Sequence, residues 1–179
     1  MSGHTVLAVA IPRSDQPHWC WAAVGLGIAQ AYGEMLDAKQ CEVATRVRGV
    51  RCCPAGSFGD CDVPMALAPA LGTHLDPRPV VAAEERQFSL IKECIDSGHP
   101  LAVGIGRPDA HSGHFVVISG YKVHDGENHV YVCDPATGEC SLVNFDRFVR
   151  RFRDFGSWRQ SFRITGPAPL PRITPASAP

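Results

Sequence analysis

Apolar residues follow two different rhythms along the chain, and the change between them divides it. From Cys20 the run CWAAVGLGIA has almost no polar interruption. It predicts a helix buried on all sides from about Cys20 to about Tyr32, with Gly33 as its stop. Gly25 and Gly27 each weaken such a helix by about 1 kcal/mol against alanine, so a neighbour packed closely on that face is expected. Residues 37–48 predict a second, shorter helix with Val43 and Val47 one turn apart. Val63 to Leu71 predicts a short helix with Pro64 in its first turn and Pro69 limiting its length. Leu90, Ile91, Cys94 and Ile95 form one apolar face of a helix over Ser89–Ser97, ended by Gly98. Residues 5–11 and 73–83 read as extended, and residues 49–62 as an irregular loop.

After Pro100 the period shortens to that of strands. Pro100 to Ile105 and His114 to Tyr121 predict two of them, separated by the loop Gly106–Gly113. The polar turn at 124–128 leads into a return strand, His129–Asp134, and the turn 135–138 into another, Glu139–Val143, giving two hairpins in series. Phe145, Phe148, Val149, Phe152 and Phe155 are spaced as the buried stripe of a helix over 144–155. Trp158, Phe162 and Ile164 alternate in a final strand. Residues 166–179 hold five prolines and no regular pattern, which predicts a disordered tail or linker. The fold class is therefore α+β: an N-terminal helical half carrying the Cys20 helix, packed on a C-terminal antiparallel sheet, with one domain over residues 1–165.

Composition removes some functions. The 179 residues carry a formal net charge of −1, which gives no overall pull toward nucleic acid or an anionic membrane. The arginines at 147, 150, 151 and 153 read as a solvated face over the aromatic stripe. No stretch is long enough to span a bilayer, and residues 5–11 are too short and weakly flanked for a signal peptide. That leaves both a cytoplasmic and an exported protein open. Eight cysteines are many for this length. Cys41, Cys52, Cys53 and Cys61 cluster around the irregular loop, where disulfides, a four-thiolate metal site and free thiols are the alternatives. Adjacent cysteines pair poorly, so a Cys52–Cys53 bond is disfavoured. Cys94 reads as core, and Cys133 and Cys140 flank a turn.

Cys20 stands apart. A thiol at the start of a helix meets free backbone N–H groups and the positive end of the helix dipole, an environment that favours a thiolate nucleophile. Such a nucleophile needs a histidine, and the histidine an orienting acid or amide. Of the eight histidines, His114 opens the strongest strand, where a side chain is accessible yet fixed. A hairpin turning near His124 sets His114 opposite Asp134. Gln16, just before the helix, places an amide where it can join the backbone N–H of Cys20 in holding an oxyanion.

Gln16, the run Trp19-Cys20-Trp21-Ala22-Ala23, the stretch Gly113 to Tyr121 and the run Val132-Cys133-Asp134-Pro135 together resemble bacterial papain-like cysteine proteases. The likeness is greatest to a group that includes plant-pathogen effector proteases, and more distant to bacteriocin-leader-processing peptidases. It covers roughly residues 10–165. It implies a papain-like fold with the cleft between the two halves, and a Cys20–His114–Asp134 triad acting through an acyl-enzyme with Gln16 at the oxyanion. It also implies that the cluster Cys41, Cys52, Cys53 and Cys61 braces a loop beside the cleft. Gln16 lies only four residues before Cys20, a tighter spacing than in plant papains, and Asp134 replaces their usual amide. The expected protein is a cysteine endopeptidase, as an effector, toxin or processing enzyme. It would act on protein or peptide, with His18, Trp19 and His111 at the cleft rim. No metal, cofactor, nucleic acid or membrane partner is expected, and the chain would be a monomer. The competing functions are acyl transfer by the same triad (transglutaminase, deamidase or amidase), a non-enzymatic binding module, and a zinc-holding structural protein.

Overall fold

The computed structural model describes residues 3–54, 58–77, 86–107 and 113–174. Helix α1 (Cys20–Ala31) is the pivot of the helical half, buried continuously from Cys20 to Ala29. It packs against α2 (Gln40–Arg48), α4 (Ala68–Leu71) and the long strand β3 (His114–His124). The two helix glycines mark the closest of these contacts. A Cβ on Gly25 would sit 2.7 Å from the Ala70 carbonyl, and one on Gly27 2.7 Å from the Ile11 side chain. Helical propensity is given up there for close packing, as the sequence requires.

The loop of cysteines has structure of its own. A short helix, α3 (Phe58–Cys61), interrupts it, and disulfides Cys41–Cys53 and Cys52–Cys61 tie it to α2. Helix α4 begins later than expected. Pro64 lies outside it and Pro69 sits in its first turn, because a proline without an N–H costs nothing where no partner is due. Residues 72–74, within the stretch expected to be extended, form a single 3₁₀ turn, and Leu75 then bridges to Ile164. The remainder of that stretch, from 78, lies outside the described residues. Helix α5 (Phe88–Asp96) buries Leu90, Ile91, Cys94 and Ile95.

The other half is one antiparallel sheet of seven strands. β3 is its spine. On one side it pairs from Val117 to His124 with β4 (Glu127–Asp134), which in turn pairs with β5 (Glu139–Asn144). On the other side its first half pairs with β2 (Leu101–Gly106), and its second half with β1 (Gly3–Leu7). β6 (Ser157–Arg163) lies beyond β2, and β7 (Arg172–Ile173) beyond β1. A third disulfide, Cys133–Cys140, joins residues directly opposite each other on β4 and β5.

Two expectations need correction. The aromatic stripe is not one helix. α6 covers only Phe145–Arg150, capped by Asn144, whose Oδ1 accepts from the Arg147 N–H at 3.1 Å. The chain then turns extended at Arg151 and left-handed at Arg153 (φ 49°), and the Phe152 N–H reaches the Gly156 carbonyl at 2.7 Å. A five-residue loop therefore replaces the last helical turn. The Pro-rich stretch also follows the body through Thr174. Leu170 is buried, its N–H bonds to the Gly98 carbonyl at 2.9 Å, and β7 closes the free edge of β1. Its prolines interrupt regular structure without preventing these contacts.

Candidate active site

Cys20 is the first residue of α1 and is buried at the foot of a cleft of about 610 Å³. A turn delivers it there: the Trp19 N–H bonds back to the Gln16 carbonyl at 3.1 Å before the helix begins. Trp19 and Trp21 flank the thiol and hold the opposite wall. Their indole N–H groups donate to the carbonyls of Cys61 (2.9 Å) and Val63 (3.1 Å). The chain so anchored continues into Pro64, Met65 and Ala66, which line the cleft. Trp19, expected at the rim, is instead fully buried. An indole that large is more stable inside when its one polar atom finds a carbonyl. His18 does lie on the rim, with Nδ1 3.3 Å from Asp62 Oδ1. His111 lies outside the described residues.

His114, at the first position of β3, lines the same cleft. Its Nε2 is 2.6 Å from Asp134 Oδ1, which leaves Nδ1 for Cys20. The two side chains meet through a register different from the one expected. The hairpin turns at Asp125–Gly126, one step later than a turn centred on His124. Pairs from His124↔Glu127 to Gly120↔Tyr131, continued in step, would set Asp134 beside Val117 on the wrong face of the sheet. A register shift between Ile118 and Gly120 changes this, giving Ile118↔Val132 and Val117↔Cys133. Asp134 then falls beside Val116, on the His114 face and diagonal to it. A one-residue bulge therefore decides whether the pair can form.

Burial works against a charge on His114, but hydrogen bonds to Asp134 and Cys20, and the charges of both, outweigh it and push its pKa up to about 9. Burial likewise works against a charge on Asp134. Its hydrogen bonds from His114 and from the Ala136 N–H (2.8 Å), with the nearby cations His114 and Arg153, hold its carboxyl below the usual range. Asp134 also starts the turn into β5, accepting from Gly138 N–H at 2.8 Å, so its local and its site contacts coexist.

Gln16 lines a second cavity of about 400 Å³ together with Cys20, His114 and Phe155. Its loop is held from both halves. Buried Gln40 accepts from the Asp15 N–H at 3.0 Å and donates to the Arg13 carbonyl at 2.6 Å, and the Ser14 N–H donates to the Pro135 carbonyl at 2.8 Å.

Two residues at the site have no signal in the sequence. The Phe155 ring stacks on the His114 ring, with centroids 4.0 Å apart and planes 19° from parallel. Arg153 Nη1 lies 2.9 Å from Asp134 Oδ2. Both come from the loop after α6, which the spacing of aromatics had disguised as helix. None of the four clustered cysteines lines the cleft, and their thiols are joined in the two disulfides already described. Cys20 and Cys94 are the cysteines outside disulfides among the described residues, and no helix there is long and apolar enough to cross a membrane.

The helical region packed on an antiparallel sheet, with a thiol and a histidine facing one cleft and a buried carboxylate bonded to the histidine, is an arrangement of the papain-like kind in general terms. Residues 70–161 match the Peptidase_C39 like family, and the chain belongs to that family, within the cysteine-protease clan. The matched stretch contains His114 and Asp134, while Cys20 and Gln16 precede it. The match is to the C39-like family and singles out no group of effector proteases. No curated protein matches the chain.

Proposed function

We propose that the chain is a cysteine peptidase in which Cys20 is the nucleophile, His114 the acid–base and Asp134 the residue that orients it. The reading rests on His114: it is shared between Cys20 and Asp134 and has a pKa of about 9. At neutral pH the imidazole is therefore already protonated, and on this reading Cys20 attacks as the thiolate beside it. The thiolate adds to a peptide carbonyl, the carbonyl electrons move onto oxygen, and that oxyanion is held by the Cys20 N–H and the Gln16 amide. The first N–H groups of a helix have no partner within it and are free for this work. His114 gives its proton to the departing amine as the C–N bond breaks, leaving an acyl-enzyme. Water, deprotonated by the now neutral imidazole, then releases the acid and restores the thiolate. Membership of the C39-like family supports a hydrolase, and the position of Met65, Ala66 and Trp21 along the cleft suits an extended peptide.

The test is intact-mass labelling with limiting iodoacetamide near neutral pH, followed by incubation with a defined peptide mixture. Wild type is expected to take one fast adduct on Cys20 and to cleave peptides. Cys20→Ala should lose both, and His114→Ala should slow both by roughly 10²–10⁴-fold. Equal labelling of Cys20 and Cys94 would overturn the reading. Incorporation of an added primary amine into the products would assign acyl transfer in place of hydrolysis.

A further inference from the structure

Asp134 uses its two oxygens very differently. Oδ1 accepts from both His114 and the Ala136 N–H. Oδ2 is completely buried and accepts no hydrogen bond, yet it faces the Arg153 guanidinium at 2.9 Å, off the line of a hydrogen bond but close enough for an ion pair. A buried carboxylate oxygen without a hydrogen bond is costly unless a cation compensates it. Arg153 supplies that cation from outside, with its side chain 40% exposed against 0% for Asp134.

The loop that carries Arg153 is built to hold it there. Its ends are joined by the Phe152–Gly156 bridge. Arg153 adopts φ 49°, a left-handed conformation that side chains other than glycine rarely take without support. Arg151 Nε donates to the Arg153 carbonyl, and Arg107 Nη2 donates to the Asp154 carbonyl at 3.0 Å. Gly156 is needed at the end, since a Cβ there would run into the Gly106 carbonyl. Two residues on, the same loop stacks Phe155 on His114. One loop thus touches both members of the histidine–carboxylate pair.

We propose that Arg153 is a positioning residue of this site: it fixes Asp134 Oδ2, prevents the carboxylate from rotating, and so keeps Oδ1 on His114. This rests on the peptidase reading above. Arg153 lines neither of the cavities that reach Cys20, so it acts through Asp134 and not on substrate. Among the described residues, the other ionisable groups around the pair are Cys20 from α1, Asp154 from the same loop, Arg107 and His18 along the cleft, Arg13 and Asp15 along the second cavity, and Glu139 opposite Asp134 on β5.

The experiment follows the rate of Cys20 alkylation by iodoacetamide across pH 4–9 in wild type, Arg153→Gln and Arg153→Lys, with the thermal midpoint of each. In Arg153→Gln the carboxylate is released, His114 loses part of its hold on the proton, and the thiolate–imidazolium pair weakens. The rise of rate with pH should move upward by about one pH unit, which is about a tenfold lower rate on the acid side. Arg153→Lys keeps a cation and should restore most of that loss. An unmoved pH profile in a folded Arg153→Gln protein, with only the thermal midpoint lowered, would make Arg153 a surface ion pair and overturn the proposal. If Arg153→Gln does not fold, a wild-type profile in Arg153→Lys at an equal thermal midpoint supports it, and a profile as displaced as that of Asp134→Asn overturns it. A slow Cys20 in wild type would sink the peptidase reading itself, and this inference with it.

Discussion

Burial alone would drive the proton off His114, yet Asp134 and Cys20 together raise its pKa to about 9. The sign of that shift has two consequences. The folded value exceeds the ordinary 6.5, so the pair stabilises the fold fully below 6.5, and the contribution is lost as pH rises through about 9. Asp134 is shifted the opposite way, so its contribution is present above the ordinary carboxyl range and lost as pH falls. The urea midpoint of wild type should therefore exceed that of His114→Ala by most between these limits, and the two curves should converge toward alkaline pH. For catalysis, peptide cleavage should decline through about pH 9, because the departing amine then finds no proton on His114. Alkylation of the thiolate, which needs no acid, should not decline there. Parallel loss of both would mean that the alkaline limb is unfolding and not proton transfer. That Cys20, His114, Asp134 and Gln16 come close together is legible in the sequence because each sits beside a strong local signal: a helix start, a strand start, a turn, a proline. Arg153 and Phe155 are not, because nothing local distinguishes an arginine that meets a buried carboxylate from one that meets water.

At the scale of elements, the helices and strands follow the apolar rhythm closely, and the errors fall where a tertiary contact outweighs it. α6 stops at Arg150 although the aromatic spacing continues, because Phe155 is used on His114 and Phe152 turns back to Gly156. The β3–β4 register differs from the expected one because the hairpin turns at Asp125–Gly126, and the bulge that returns Asp134 to the His114 face leaves no mark in the run VVISGY. The cysteine-rich loop has too few apolar residues to hold itself, and its two disulfides supply what packing cannot. Closing such short loops is worth about 2–3 kcal/mol each in the chain-entropy account. The double variant Cys52→Ser/Cys61→Ser should lose about that much in chemical denaturation. Denatured but unreduced protein should take two alkylations, at Cys20 and Cys94; eight would require the thiols to be free or metal-bound. Gly25→Ala tests the α1–α4 contact. With 2.7 Å to the Ala70 carbonyl, overpacking should cost about 1–3 kcal/mol despite the better helix propensity.

Across the whole molecule, residues 164–174 after β6 pack on the body as a brace. It covers the edge of β1 and inserts Leu170 beside Gly98. Removing residues 167–179 should lower the denaturation midpoint by the equivalent of about 1.5–3 kcal/mol, the worth of one buried leucine, with the baseline ellipticity of the sheet retained. An unchanged midpoint would show that these contacts contribute nothing in solution. The larger arrangement, a thiol on the helical half and its proton donor on the sheet, also has a meaning in time. A ribosome makes the chain from its N-terminus, so Cys20 emerges long before His114, Asp134 and the loop that steadies them. On the proposed chemistry the growing chain holds an ordinary cysteine, harmless to itself and to its neighbours, until the last strands are synthesised and dock. The order of residues along the sequence would then serve as a delay, keeping the nucleophile dormant until the site that activates it is complete.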